Sequence, residues 1–297
     1  MTLGGLAVPI PTLFDAEGRV DADRNRRFVE GISRAGADHV FALGSLGEFP
    51  SVDTDERPAL LAAVRDGLRT PTDLWVGVGA PATRRAVRHA IGAVEAGADV
   101  LIATPPYYLH PTDAAIQAYY RSIAHATELP LLAYNIPAKV GYALSPALVH
   151  SLAEEGVILG IKDTAGSLDS VLAFLDNAPR DFSVLPGDDL LAVPAIRAGA
   201  SGAVMGLANV APKLGVALLR AIGAADVSAV NRLDGLLRDL ATVVQAGPFP
   251  STTKFLAARL RGAPDGYRAP YEPLTPAEQA HVLAALTPVE ERLRPWV

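Results

Sequence analysis

The phrase Ala-Gly-Ala occurs three times, each time after a helical stretch and before a short apolar run. Ala35-Gly36-Ala37-Asp38 leads into His39-Val40-Phe41-Ala42-Leu43. Ala96-Gly97-Ala98-Asp99 leads into Val100-Leu101-Ile102-Ala103, and Ala198-Gly199-Ala200-Ser201 into Gly202-Ala203-Val204-Met205. Glycine just past a helix takes the left-handed conformation that closes it, and the chain then enters a strand. Strands alternating with helices of about 10–15 residues give βαβ units and a parallel sheet. Eight strands are predicted, near 6–10, 39–43, 74–78, 100–103, 130–134, 157–162, 183–186 and 202–205. Helices follow near 22–35, 53–69, 83–96, 113–127, 145–155, 168–177, 189–198 and 211–222. Eight such units in about 220 residues fit a closed ring better than an open doubly wound sheet. The predicted fold class is therefore α/β, a (β/α)8 TIM barrel with a C-terminal helical extension. Residues 1–223 form the barrel and 224–297 two or three helices packed on it, the whole being one structural unit. No Gly-x-Gly-x-x-Gly follows the first strand, so the dinucleotide-binding alternative lacks its main support.

Bulk numbers narrow the function. A net charge of −6 argues against a nucleic-acid surface. The absence of cysteine excludes disulfides, thiolate metal sites and thiol nucleophiles. The six histidines lack metal-ligand spacing. No apolar stretch reaches the roughly 20 residues of a membrane span, and the N-terminus lacks a signal-peptide pattern. A soluble cytoplasmic protein, binding neither membrane nor nucleic acid, is the expectation.

A barrel directs attention to the C-terminal ends of its strands, where such folds place their active sites. The sixth strand end is the most informative. Gly156-Val157-Ile158-Leu159-Gly160-Ile161 is an apolar run that ends in Lys162. Burial disfavours an ammonium and frees its lone pair for attack on a carbonyl. The alternative is a lysine snorkelling to the surface at a strand end. Only four lysines occur, at 139, 162, 213 and 254, against 22 arginines. Arginine cannot form an imine, so a lysine retained in such a chain points to chemistry. Tyr134, at the end of the neighbouring strand, is placed to shuttle protons. Gly44-Ser45-Leu46-Gly47 can curl its amides into a carboxylate-binding nest, or can simply be a tight turn. Ser45 offers a hydroxyl near Tyr134, and Glu48 is read as holding the loop. Asp188 and Asp189 read as a helix cap and His110 as a loop residue near an interface.

These blocks together resemble the dihydrodipicolinate synthase and N-acetylneuraminate lyase family of class I aldolases. The resemblance rests on Gly44-Ser45-Leu46-Gly47-Glu48-Phe49 with Glu56, Pro105-Pro106-Tyr107-Tyr108 with Pro111, Tyr134-Asn135-Ile136-Pro137, and Gly160-Ile161-Lys162-Asp163-Thr164. Gly187-Asp188-Asp189 and Ala208-Asn209-Val210-Ala211-Pro212 continue it over essentially the whole chain. It implies Lys162 as the Schiff-base lysine and Tyr134 as the acid/base residue. It also implies Ser45 in a hydroxyl relay, with the Ser45 and Leu46 amides on the carboxylate of a 2-oxo acid. Tyr108 matches a tyrosine inserted into a neighbouring subunit's site, and Val204 a residue whose carbonyl faces the site. A homotetramer, a dimer of dimers needing no cofactor, is implied as well.

Two departures bear on the substrate. Dihydrodipicolinate synthases carry a second threonine where this chain has Leu46, and an arginine where it has Lys139. Lysine is a point charge without arginine's fork. The Gly-Ser-x-Gly-Glu-Phe-Pro form is similar to the 4-hydroxy-2-oxoglutarate aldolase branch. The first expectation is therefore an aldolase acting on pyruvate and a short aldehyde, or on the corresponding 4-hydroxy-2-oxo or 2-keto-3-deoxy sugar acid. The alternatives are 4-hydroxy-tetrahydrodipicolinate synthase, a sugar-acid dehydratase, and a barrel that binds a 2-oxo acid without turnover.

Overall fold

A computed structural model describes residues 3–297 of the chain. Eight strands run parallel: β1 (Gly5–Pro9), β2 (His39–Ala42), β3 (Asp73–Gly77), β4 (Val100–Ala103), β5 (Leu131–Asn135), β6 (Gly160–Asp163), β7 (Ser183–Pro186) and β8 (Gly202–Val204). Their order in the sheet is β7-β6-β5-β4-β3-β2-β1-β8. The two ends of that order meet, because Ser201 N–H, just before β8, donates to Val184 O of β7 at 3.0 Å. A parallel sheet in sequence order that returns on itself is the (β/α)8 barrel expected from the Ala-Gly-Ala repeats.

The repeats work as predicted. Gly36, Gly97 and Gly199 have φ of 95°, 78° and 114°, a region an L side chain rarely enters. The aspartate that follows two of them has a role of its own. Asp38 accepts from Leu6 N–H at 2.8 Å and Asp99 from Leu74 N–H at 2.7 Å, so each carboxylate satisfies the N–H of a strand residue. Where the third phrase carries Ser201, its backbone carbonyl accepts from Gly5 N–H instead, at 3.3 Å.

Two compact units make up the chain. One comprises Asp73–Val204 with residues 3–5, and holds β3 to β8. Its strands are buried, and Trp75, Tyr119 and Tyr120 are its largest enclosed side chains. The phenols are not left unpaired: Tyr119 donates to Thr104 O at 3.1 Å and Tyr120 to Ala103 O at 3.0 Å. The other unit comprises Leu6–Thr72 and Met205–Val297. It pairs β1 with β2, Ala7 opposite His39 and Pro9 opposite Phe41. Asn209 ties its two segments together, donating to Pro9 O at 2.8 Å and to Gly206 O at 2.9 Å.

Beyond residue 223 lie helices Val227–Gln245, Ser251–Arg261 and Pro276–Leu286, with a single turn at Glu290–Leu293. Two or three helices are expected there, and three full helices are present with the additional turn. The sixth strand also begins later than predicted, at Gly160 and not Val157. Val157 N–H and Ile158 N–H both return to Leu152 O, at 2.9 and 3.4 Å, closing helix Pro146–Glu154 around Gly156. Apolar content alone could not separate that closure from the strand. The second helix likewise starts at Arg57 and not near 53, with the intervening residues in turns.

Candidate active site

In the first unit, strand register brings Lys162 and Tyr134 together. They are direct partners across β5 and β6. Paired positions on neighbouring strands put their side chains on one face. Lys162 Nζ lies 3.7 Å from the centre of the Tyr134 ring, and the two residues are 3% and 4% exposed. The snorkelling alternative is thereby removed: the amine points inward, over an aromatic face that attracts positive charge.

Two further residues shape the surroundings of that amine, and the motif blocks that contain them assign neither a role. Lys162 Nζ donates to Thr164 Oγ1 at 2.7 Å. Gly187, at the end of β7, leaves the room for this bond. A Cβ there would lie 2.2 Å from Thr164 Oγ1 and 2.5 Å from Lys162 Nζ. Next along β6, Asp163 is buried and accepts from Asn135 Nδ2 at 2.7 Å, while Asn135 Oδ1 accepts from Leu144 N–H at 3.0 Å. Burial raises the Asp163 carboxyl above the ordinary aspartate range, against the lowering effect of the Asn135 bond. This chain of bonds fixes the ends of β5 and β6 at the level where Tyr134 and Lys162 emerge.

The remaining candidates of this unit are placed individually. Val204 is the buried last residue of β8. Lys139 is solvent-exposed on the one-turn helix Pro137–Val140 that follows β5. Tyr108 is 93% exposed and has a φ of 77°, uncommon for a non-glycine residue. Behind it His110 stacks on Tyr142 at 3.9 Å between ring centres, and Tyr142 donates to Pro106 O at 2.6 Å. Asp188 accepts from Leu190 N–H at 3.0 Å and caps the 3-10 turn Asp189–Leu191, the capping role expected from its position.

In the second unit, the loop after β2 runs through Gly44-Ser45-Leu46-Gly47. Ser45 is half-buried and the Leu46 side chain is buried. Left-handed residues bracket the loop: Leu43 has φ 57° and Glu48 φ 52°. Such conformations cost of order 1–3 kcal/mol each in a non-glycine residue. The loop is held from several sides. Thr12 Oγ1 donates to Gly47 O at 2.6 Å, Glu48 N–H to Ser45 O at 3.2 Å, and Phe49 N–H to Gly44 O at 3.4 Å. Among the described residues the Leu46 N–H has no hydrogen-bond partner. Glu48 turns away into the core and meets Lys254 at 2.6 Å, the pair being 1% and 0% exposed. Its expected task of holding the loop thus has a partner, a lysine some 200 residues further along the chain that no local pattern connects to it. Among the described residues no group of three or more His, Cys, Asp or Glu side chains could hold a metal ion. No helix is long and apolar enough to cross a membrane.

Known proteins resemble this chain over its whole length. The profile of the Dihydrodipicolinate synthetase family matches residues 2–289. A 4-hydroxy-tetrahydrodipicolinate synthase of Aromatoleum aromaticum is 35% identical, covering 95% of this chain and 97% of its own. An uncharacterised DapA-like lyase of Halobacterium salinarum is 34% identical, covering 96% of this chain and 93% of its own. Among solved structures, YagE, a prophage protein of the dihydrodipicolinic acid synthase family from E. coli K12 in complex with pyruvate, superposes with a TM-score of 0.93 at 29% identity. That match covers 99% of this chain and 100% of the other. The 4-hydroxy-tetrahydrodipicolinate synthase of Methylacidiphilum fumariolicum gives a TM-score of 0.92 at 27% identity over the whole of both chains. The chain therefore belongs to the dihydrodipicolinate synthetase family, whose members are lyases of the class I aldolase type.

Proposed function

We propose that this enzyme forms an imine between Lys162 and pyruvate, and joins that imine to a short aldehyde or releases pyruvate from the product of such a joining. The observation that carries the reading is the Lys162 Nζ, enclosed, 3.7 Å from the Tyr134 ring centre and bonded to Thr164 Oγ1. The amine nitrogen adds to the C2 carbonyl carbon, and the resulting carbinolamine loses water as its hydroxyl takes a proton. Loss of a C3 proton from the imine gives an enamine, and its C3 attacks the aldehyde carbon. Tyr134 takes and returns protons in these steps. The Leu46 N–H, with Ser45, receives the 2-oxo acid carboxylate. Tyr108, exposed on its turn, reaches into the site of a second subunit in a homotetramer, and the Val204 carbonyl faces the bound acid.

The aldehyde is where two readings part. The curated relatives support condensation with aspartate semialdehyde: those of Aromatoleum aromaticum and Dechloromonas aromatica, at 35% and 32% identity, both carry the name 4-hydroxy-tetrahydrodipicolinate synthase. Leu46 and Lys139, in place of a hydroxyl and a guanidinium, support a 4-hydroxy-2-oxo acid cleaved to pyruvate. The synthase reading has the broader support and stands first.

Borohydride with pyruvate should add mass to the intact protein at Lys162, and Lys162→Ala should abolish it. No adduct, or an adduct that survives the substitution, refutes the imine. Turnover is then compared for pyruvate with aspartate semialdehyde, for 4-hydroxy-2-oxoglutarate and for 2-keto-3-deoxygluconate. Condensation far below cleavage reverses the order of the two readings.

A further inference from the structure

Helix Ala22–Arg34 carries Arg24, Arg27, Gly31 and Arg34 at i, i+3, i+7 and i+10. That spacing places them on one helix face. All four line a single cavity of about 740 Å³, which Lys213 and Arg261 also line. None of the lining residues belongs to the candidate active site. Five cationic side chains therefore meet in one place, on a chain whose net charge is −6. Even with Asp265 and the Val297 carboxylate both counted, cations lead five to two.

The arrangement around Arg261 is that of a built site. Its Nη1 donates to Asn209 O, and its guanidinium lies over the Phe28 ring, 5.0 Å from the centre. Its Nη2 occupies the space left by the missing Gly31 side chain, since a Cβ there would lie 2.7 Å away. Among the described residues neither Arg261 nor Lys213 has a carboxylate within 4.0 Å. Burial pushes Arg261 down to about 10, the direction expected of a cation short of negative partners. The other arginines pair with acids of their own helix or its cap, Arg24 with Asp21 at 3.1 Å, Arg27 with Asp23 at 3.2 Å and Arg34 with Glu30 at 2.7 Å. The Arg27 pair is solvent-exposed and the other two partly so, and such pairs are cheaply exchanged for a stronger anion, although Arg24 Nη1 also donates to Phe14 O and Asp265 O, at 3.2 and 2.8 Å.

We propose that this cavity is a second binding site, for a small molecule bearing two or more phosphate groups. Guanidinium forks match phosphate oxygens two at a time, and several around one cavity suit a polyanion better than a single carboxylate. The volume lies within the range of small-molecule pockets and admits a ligand of nucleotide size.

The test is calorimetric titration of the whole protein with inorganic tripolyphosphate, with ADP and with citrate. Binding of tripolyphosphate or ADP at millimolar concentration or below is expected, weakening as salt rises. Arg27→Glu combined with Lys213→Glu changes two surface side chains. It should lower the affinity by at least about a hundredfold, tenfold or more for each cation reversed, while turnover stays unchanged and the melting temperature moves by no more than the loss of one exposed ion pair allows. Arg261→Met is the second arm and should also lower it. No binding of either phosphate compound, equal affinity in wild type and the double variant, or citrate binding more tightly than both phosphates each overturns the proposal. Binding by both tripolyphosphate and ADP assigns the oligophosphate as the recognised group; binding by ADP alone assigns a nucleotide.

Discussion

Replacing Lys254 by methionine should destabilise the protein, and replacing Glu48 by methionine as well should restore stability without restoring activity. The two side chains are within 2.6 Å and almost wholly removed from water. Lys254 donates to Gly266 O at 2.8 Å and lies 5.2 Å from the ring centres of both Phe14 and Tyr267. Neither Glu48 carboxylate oxygen has a hydrogen-bond partner of good geometry among the described residues. The attraction is therefore one of charge, set against a large desolvation cost. Burial raises the Glu48 carboxyl and lowers the Lys254 ammonium, in each case more than the partner's charge restores. A pair of this kind contributes little net stability, but removal of one member leaves the other charge buried and alone, at a cost of about 3–5 kcal/mol. With an unfolding entropy of about 2.1 cal/mol/K per residue, the 297-residue chain loses roughly 0.6 kcal/mol per degree. Lys254→Met should thus lower the melting temperature by roughly 5–8 °C.

Two methionines in place of the pair remove both charges at nearly constant volume, and such exchanges run from neutral to stabilising. Glu48 sits at φ 52° and is the anchor of the loop carrying Ser45 and Leu46. Without the anchor the loop keeps its fold but not its placement. A misplacement of about 1 Å can cost a hundredfold in rate. The expected result is a double variant that melts near the wild-type temperature with kcat/KM lowered about a hundredfold. Scanning calorimetry and steady-state kinetics on the same preparations read both. A double variant that melts as low as Lys254→Met, or one with wild-type turnover, refutes the view that the pair serves loop geometry and not stability.

Three other substitutions test the site. Gly187→Ala puts a Cβ 2.5 Å from the Lys162 Nζ, and should slow pyruvate trapping about a hundredfold by displacing the amine, as read by mass spectrometry over time. Asp163→Asn should not destabilise the protein at neutral pH. The carboxyl is raised when folded, so its contribution to stability is fully present below the ordinary aspartate value and is lost as pH rises through the folded one. The wild type should therefore lose stability across that acidic window and the variant should not, which melting curves at stepped pH will show. Tyr108→Ala removes a side chain that is 93% exposed, and should shift the melting temperature by no more than about 1 °C. Turnover should fall about a hundredfold if the phenol serves a neighbouring subunit, and an unchanged kcat refutes that role.

The elements of this fold that are legible in the sequence are those whose signals are local. The Ala-Gly-Ala phrases locate three strand starts because a left-handed residue after a helix favours glycine, as at Gly36, Gly97 and Gly199, although Asn177 and Ala225 take that conformation as well. Tyr134 and Lys162 can be paired in advance because neighbouring parallel strands of a ring bring their ends to one level. Thr164 stands in the same block as the lysine, yet its hydroxyl becomes informative only when the lysine is seen to turn back over two residues and meet it. Gly187 is illegible for a different reason: its function is to be absent from a volume, and nothing in a linear sequence marks whose volume that is.

Lysine scarcity shows the same division. Composition alone suggests that a retained lysine is chemical, and of the four, two are exposed and two are buried. Lys162 and Lys254 are alike in composition and in burial, and differ in what burial has placed beside them. Lys162 faces an aromatic ring and a hydroxyl, neutral partners that leave the nitrogen available to a carbonyl. Lys254 faces a carboxylate and a backbone carbonyl, which occupy its nitrogen and give it no electrophile to attack. Scarcity therefore selects for what arginine cannot do, and that includes fitting a compact ammonium into a closed core as well as forming an imine. Exchanging each buried lysine for arginine separates the two constraints. Lys162→Arg should abolish trapping with the fold kept, because the acceptor at Thr164 can still be reached from the site. Lys254→Arg should fail first in folding, because the wider guanidinium has no room beside Glu48.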